Sequence, residues 1–317
     1  MATPVEIELD AQYRQLREEC GLLDRSERAV VAVTGPDAAE YLQGQLTNDV
    51  EALEPGEGQY AALLDRKGHM QSDLRVLRVG AEEILLEVEE VAREAVVRHL
   101  SMYSIGREVA VADRSEERTV LSLIGPRSAE LAGTAPLLED ACEATTVAGV
   151  GVVAAGSAEG VDLIVASAER ERLHSALLEA GAVEVSPVAA EILRIEAGRP
   201  RFGAEMGTET MPAEAGIVEQ AVSFTKGCYI GQETVARLHY KGKPNRHLRG
   251  LRLSAPAAPG AAVRLGEKEV GRLGSTGVSP ALGAIGLAIL RREAEPGTEV
   301  AVGEDGVTAE VTALPFG

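Results

Sequence analysis

The chain has 317 residues, 45% hydrophobic and 26% charged, a soluble globular composition too long for one simple core, so two or three domains are expected. Its net charge of −19 argues against nucleic-acid binding over the whole surface. No apolar run reaches the roughly 18 residues of a membrane helix, and three scattered cysteines give neither a disulfide framework nor a zinc pair.

The N-terminal MATPVEIELD has no basic start and no apolar run behind it, so a secretory leader is not expected, and a reducing cytoplasm fits the cysteines. A helix is predicted around Asp10–Cys20, ended by Gly21. The segment Val31–Leu42 (VAVTGPDAAEYL) resembles Leu121–Ala132 (LSLIGPRSAELA). Each reads as a strand, a Gly-Pro break and a helix start, which points to two related modules in tandem. In the first module, strands are expected at Gly58–Leu64, Asp73–Val79 and Glu83–Val88, then a helix near Val91–Leu100. The second runs from about Arg118, with strands near Gly149–Ala155 and Val161–Ala166 and a helix from Glu169 to Ala180. Ser186-Pro187 opens another helix, with serine as N-cap and proline at its first position, and Gly198 and Pro200 end it. After the Ala255–Gly260 turn come short strand-like runs at Ala261–Leu265, Val270–Thr276, Ala284–Leu290, Glu299–Val302 and Val307–Ala313. With Leu248–Leu253 they make a small β-barrel. The fold class is therefore α+β, with an N-terminal module over 1–116, a second over 117–246 and a barrel over 247–317.

Four features could carry chemistry. Lys226-Gly-Cys-Tyr-Ile-Gly-Gln-Glu233 packs a cation, a lone thiol, two glycines and a Gln-Glu pair into eight residues. A helix from about Gly231 to His239, together with Lys226, would favour the Cys228 thiolate and hence nucleophilic, redox or metal chemistry. The bland alternative, a small buried hydrophobe, suits Cys20 and Cys142 better. Glu196 stands in the last turn of its helix, where a carboxylate opposes the helix dipole. It could pair with Arg194, Arg199 or Arg201, or accept two parallel N–H bonds from a planar heterocycle such as a pterin. Asp65–Gly68 reads as a hairpin turn with His69 beside it, whereas Asp73 begins a strand, a position aspartate disfavours. Finally, Thr234–Gly266 contains no acid but holds Arg237, Lys241, Lys243, Arg246, Arg249, Arg252 and Arg264, plus His239 and His247. That run reads as a solvated loop and strand edge, or as a contact for an anionic partner.

On these residues the chain resembles the YgfZ-type folate-binding proteins, relatives of the GcvT aminomethyltransferase of the glycine cleavage system. Lys226–Glu233 is similar to the YgfZ signature, and Val33–Asp49, Gly68–Val76, Leu193–Gly198 and Phe202-Gly203 resemble the wider superfamily. The resemblance implies a GcvT-like three-domain ring around a central site for tetrahydrofolate or a derivative. It implies an accessory role in assembly, maintenance or repair of iron–sulfur enzymes, with those enzymes or their assembly proteins as partners and indirect support of tRNA thiomodification. Cys228 and Asp73 become the catalytic candidates. Glu196, Lys226 and Arg237 become the folate-binding candidates, with the Arg237–Arg252 run for the anionic glutamate tail; no metal site is expected. The aminomethyltransferases carry paired aspartates where this chain has Ser72-Asp73, which counts against aminomethyl transfer. The alternatives are a tetrahydrofolate-dependent aminomethyltransferase or glycine-type demethylase, and a non-catalytic module binding tRNA through Arg237–Arg252.

Overall fold

The computed structural model describes residues 4–317, with side chains from Glu8 onward. The first 113 residues form α1 (Pro4–Glu18), β1 (Gly21–Asp24), β2 (Ala29–Thr34), α2 (Ala38–Gln45), β3 (Gly58–Leu64), β4 (Met70–Gly80), β5 (Glu83–Val88), α3 (Glu90–Tyr103) and β6 (Ala110–Asp113). Next come β7 (Arg118–Ile124), α4 (Ser128–Ala132), β8 (Cys142–Val147), β9 (Val150–Gly156), β10 (Gly160–Ala166), α5 (Arg170–Glu179), β11 (Val183–Glu184) and α6 (Pro187–Glu196). Two single-turn helices, α7 (Pro212–Ala215) and α8 (Val218–Ala221), precede α9 (Gln232–Lys241). The barrel strands are β12 (Arg246–Leu253), β13 (Ala262–Leu265), β14 (Lys268–Ser279), β15 (Gly283–Arg291), β16 (Glu299–Val302) and β17 (Val307–Thr312). Among the described residues no helix is long and apolar enough to cross a membrane.

The repeat seen in the sequence is a repeat of topology. One sheet runs β3-β4-β5-β2-β6 and the other β8-β9-β10-β7-β1-β11. The two orders match strand for strand, except that β1 is inserted between β7 and β11. Both Gly-Pro breaks do the same work: Gly35 (φ 121°) and Gly125 (φ 127°) take a backbone conformation that side chains disfavour, and a Cβ at either would collide with a carbonyl packed against it, that of Glu108 or of Glu19. The third body is the closed barrel β12-β15-β14-β13-β16-β17. Helix α6 opens as the sequence indicates, with Ser186 Oγ accepting from Ala189 N at 3.4 Å.

The modules are not contiguous in the chain, as boundaries at 116 and 246 would have them. Strand β1 pairs antiparallel with β7 and parallel with β11, so it belongs to the second sheet. The reason is apolar burial: Leu22 is fully buried in the second core, and Tyr13 and Leu16 of α1 pack on Ile192 and Leu193 of α6. Conversely, Phe202, Met206, Ile217, Val222, Tyr229 and Val235 complete the core of the first module.

The two sheets meet face to face. Val30, Ala32, Leu77 and Leu85 pack on Val120, Val153, Ala155 and Ile164. At the edge of this apolar layer lies a buried charged group. Arg75 of β4 donates to Glu87 of β5 (Nε–O 2.9 Å) and, across the junction, to Asp162 of β10 (2.8 Å) and the Gly156 carbonyl (3.2 Å). Ser122 of β7 donates to the other Asp162 oxygen. The barrel closes the ring: Ile195 of α6 packs on Ile285 and Leu287, and Phe316 N donates to the Glu196 carbonyl at 3.1 Å.

Removing one member of a buried charged group strands the others. Arg75→Met is expected to cost about 3–5 kcal/mol of unfolding free energy in a denaturant titration, because it leaves Asp162 without its guanidinium. A loss below about 1 kcal/mol would mean that the junction is held by its apolar layer alone.

Candidate functional site

A cavity of about 480 Å³ lies where the two sheets and α6 converge. Its centre is Asp73. Strand side chains alternate between faces, so Asp73 and Arg75 of β4, Tyr60 of β3 and Glu87 of β5 project to the same side of their sheet, and all four line the cavity. Tyr60 OH donates to Asp73 Oδ2 at 2.7 Å. The other oxygen, Oδ1, is buried with no hydrogen-bond partner. An orphaned buried acceptor in the wall of a cavity is unusual in a folded protein and points to a ligand.

The electrostatics set the state of Asp73. Burial pushes its carboxyl up to about 6, against the opposing pulls of Tyr60 and Arg28, and the nearby Glu89 adds to the rise. Arg28 is divided between Glu87 (2.7 Å) and Glu89, so little of its charge is left for Asp73. Burial would raise Glu87 too, but Arg75 and Arg28 bring it down to about 2, so Glu87 stays charged. Asp140, a non-glycine residue at φ 65° that also lines the cavity, is raised by burial to about 6. Glu159 beside it is raised as well, again by burial. The cavity thus combines permanently charged pairs in its wall with carboxyls that exchange protons close to neutrality, as acid–base chemistry requires.

The sequence-derived candidates scatter. Asp73 is at the centre. Ser72, which stands where aminomethyltransferases have a second aspartate, is buried on the opposite face of β4, its hydroxyl bonded to the Asp73 carbonyl. Its substitution therefore removes no group from the cavity wall. Glu196 does not line this cavity. Its carboxylate accepts from Tyr13 OH (3.1 Å to each oxygen), from Arg17 and from Ser279, and it faces a second cleft of about 890 Å³. The acid that α6 does turn to the cavity is Glu191, about one and a half turns earlier.

The eight-residue motif folds onto the first module as a clamp. Lys226 is buried, and its Nζ donates to the carbonyls of Gln43 (2.6 Å), Leu46 (2.8 Å) and Asn48 (2.7 Å) at the end of α2. With all three donors used, it contacts backbone rather than ligand, and burial lowers its ammonium to about 8. Tyr229 is buried in the first core, and a Cβ at Gly231 (φ 86°) would stand 2.6 Å from the Asp65 carbonyl. Gly68 (φ 84°) closes the expected turn and packs on Thr234 of α9. Cys228 is left pointing outward, exposed and away from the cavity. Arg237 is exposed on α9, also outside the cavity. The basic run disperses over the barrel: Arg246 pairs with Glu214 (2.7 Å), Arg252 donates to the Gly317 carbonyl and Arg264 to that of Gly303. It does not form one anion site.

Sequence reasoning missed Tyr60, Arg28, Arg75 and Glu87. A signal was present for two of them. Arg75 and Glu87 place opposite charges at paired positions of neighbouring strands.

Asp73 generates a testable pH dependence. Its folded carboxyl titrates near 6 and its unfolded one near 4, so the folded state binds the extra proton between those values and stability falls as pH rises through them. Asparagine carries no such charge. The stability of Asp73→Asn relative to the parent should therefore grow by about 1–2 kcal/mol between about pH 4 and about pH 7 in urea titrations. A difference that is flat with pH would place the carboxyl at its ordinary value.

Comparison with known proteins agrees with this architecture. Residues 3–226 match the family model described as the GCVT N-terminal domain, and residues 246–316 match the glycine cleavage T-protein C-terminal barrel domain. An aminomethyltransferase of Rubrobacter xylanophilus is 33% identical over 97% of this chain and 86% of its own length. A putative chloroplastic transferase of Arabidopsis thaliana is 30% identical over 92% of this chain and 71% of its own. The crystal structure of the glycine cleavage system aminomethyltransferase T from Bartonella henselae superposes with a TM-score of 0.88 at 25% identity, covering 98% of this chain and 89% of that one.

Proposed function

The chain belongs to the glycine cleavage T-protein family, and from that premise we propose that it is a tetrahydrofolate-dependent transferase of one-carbon units centred on Asp73. One observation carries the reading: Asp73 Oδ1 is a buried acceptor in the cavity wall with no hydrogen-bond partner. A reduced pterin presents ring N–H donors, the complement of that acceptor. The cavity of about 480 Å³ is of the size that holds a heterocyclic ligand. The relatives named as aminomethyltransferases support the same chemistry.

Tetrahydrofolate, when bound, would supply the amine nitrogen that accepts the one-carbon unit. The chain's own residues supply proton handling and orientation. A carboxyl near 6 is ionised at neutral pH yet basic enough to take a proton from an N–H. Tyr60 fixes the carboxylate plane through Oδ2, leaving Oδ1 as the working oxygen. The charged Arg75–Glu87–Asp162 group keeps the wall rigid without competing for that proton. The three free cysteines support a reducing, cytoplasmic location.

A second reading, an accessory role for iron–sulfur enzymes through Cys228, draws on the eight-residue motif and on the outward-facing thiol. Support of tRNA thiomodification would follow from that role. The two readings separate by residue. Asp73→Ala should reduce formation of methylene-tetrahydrofolate from an aminomethyl-lipoyl carrier or a methylated glycine by about 10²-fold or more. Cys228→Ala should leave that rate unchanged, because the thiol lies outside the cavity. No turnover with either donor, combined with loss of iron–sulfur enzyme rescue in Cys228→Ala cells, would establish the second reading in place of the first.

A further inference from the structure

The cavity holds more cations than the reaction centre uses. Arg28, Arg75, Arg194 and Arg201 are committed to carboxylates in the wall or at its rim. Two further guanidiniums line the cavity, one without a carboxylate partner and one in a pair open to solvent. Arg25, just after β1, makes no ion pair or side-chain hydrogen bond among the described residues. Arg199, carried past the end of α6 by Gly198 (φ 68°), is held only by Glu139, at 2.6 and 3.1 Å. That pair is half in solvent, with the two side chains 37% and 46% exposed. An exposed ion pair is worth about 0–1 kcal/mol, so a ligand can displace Glu139 at little cost.

Position adds to availability. Arg199, Ile124, Leu193 and Glu159 line both the central cavity and the second cleft, so Arg199 stands at the passage between them. Arg25 and Arg199 line the cavity together with Glu159 and with Tyr60, the partner of Asp73. Ile124 and Leu193 add apolar surface to the same cavity.

We propose that Arg25 and Arg199 form the carboxylate subsite of the cavity, and that Glu139 occupies it as a displaceable latch until an anionic ligand tail arrives. The proposal rests on the folate reading and deepens it, because the glutamate end of a folate carries two carboxylates joined to the pterin through an apolar aromatic linker. A guanidinium takes a carboxylate in a forked pair, and a tail tethered by its bound pterin meets Arg199 at a high effective concentration that Glu139 cannot match. The glutamate-tail role assigned in sequence to Arg237–Arg252 thereby moves to residues that line the cavity.

The test is calorimetry on the full chain, which has no tryptophan to report binding, with tetrahydrofolate and with tetrahydropteroate, the same molecule without its glutamate. Arg25→Gln and Arg199→Gln should each weaken tetrahydrofolate roughly tenfold and leave tetrahydropteroate unchanged, and Arg199→Lys should recover part of the loss. Glu139→Gln should tighten tetrahydrofolate about two- to fivefold, with no effect on tetrahydropteroate. Equal affinity of the parent for both compounds overturns the subsite while leaving the folate reading intact. So does an equal loss for both compounds in the arginine variants. A parent that binds neither compound overturns the folate reading and this proposal with it.

Discussion

Arg75 is the residue on which the arrangement turns. It projects from the first sheet and bonds to an acid of its own sheet, Glu87, and to an acid of the other, Asp162. Apolar contacts alone would let two twisted sheets slide over one another, since the hydrophobic effect has no direction. A guanidinium fork between two fixed carboxylates has a direction and a length. It sets the register of one sheet on the other, and the cavity is the gap left beside that contact.

The same group governs the reactivity of the cavity. Glu87 takes charge from both Arg75 and Arg28, and Glu89 takes the rest of Arg28. With its nearest cation neutralised, Asp73 feels burial more than attraction, so its carboxyl rises instead of falling. Structural ion pairs and a reactive carboxyl are thus one system. A stronger field from Arg28 would lower Asp73 and make it a poorer base. The cost is a proton-linked loss of stability at neutral pH, a common feature of residues held for chemistry rather than for folding.

Much of the fold was legible in the sequence. The strands Gly58–Leu64, Glu83–Val88 and Glu299–Val302 are found at their expected limits, because alternation and turn residues there agree. The Ser186-Pro187 helix start and the Gly-Pro repeat were legible for the same reason: each requires a particular backbone geometry. The interleaving of the modules was not, since β1 reads as a short apolar run and nothing local says which sheet it joins. Within the site, Asp73 was visible as an acid in a strand. Tyr60 was not, because a tyrosine in a strand is unremarkable until its neighbour across the sheet is known. The eight-residue motif proved to serve two ends. Lys226, Tyr229 and Gly231 are demanded by packing against the first module, and only Cys228 is left facing outward, a division that spacing alone does not reveal.

The interleaving has a consequence for how the molecule is made. Strand β1, near the start, waits for β7 and β11, while the first module's core lacks Tyr229 and Val235 until the chain has grown past them. During synthesis at roughly 5–20 residues per second, the second sheet cannot finish before β11 and α6, well past the middle of the chain, have emerged, and the first module not before more than two thirds of the polypeptide has been made. The nascent chain therefore spends roughly tens of seconds with open apolar faces, and the half that starts first is completed last. Such a protein lends itself poorly to dissection into separately expressed domains.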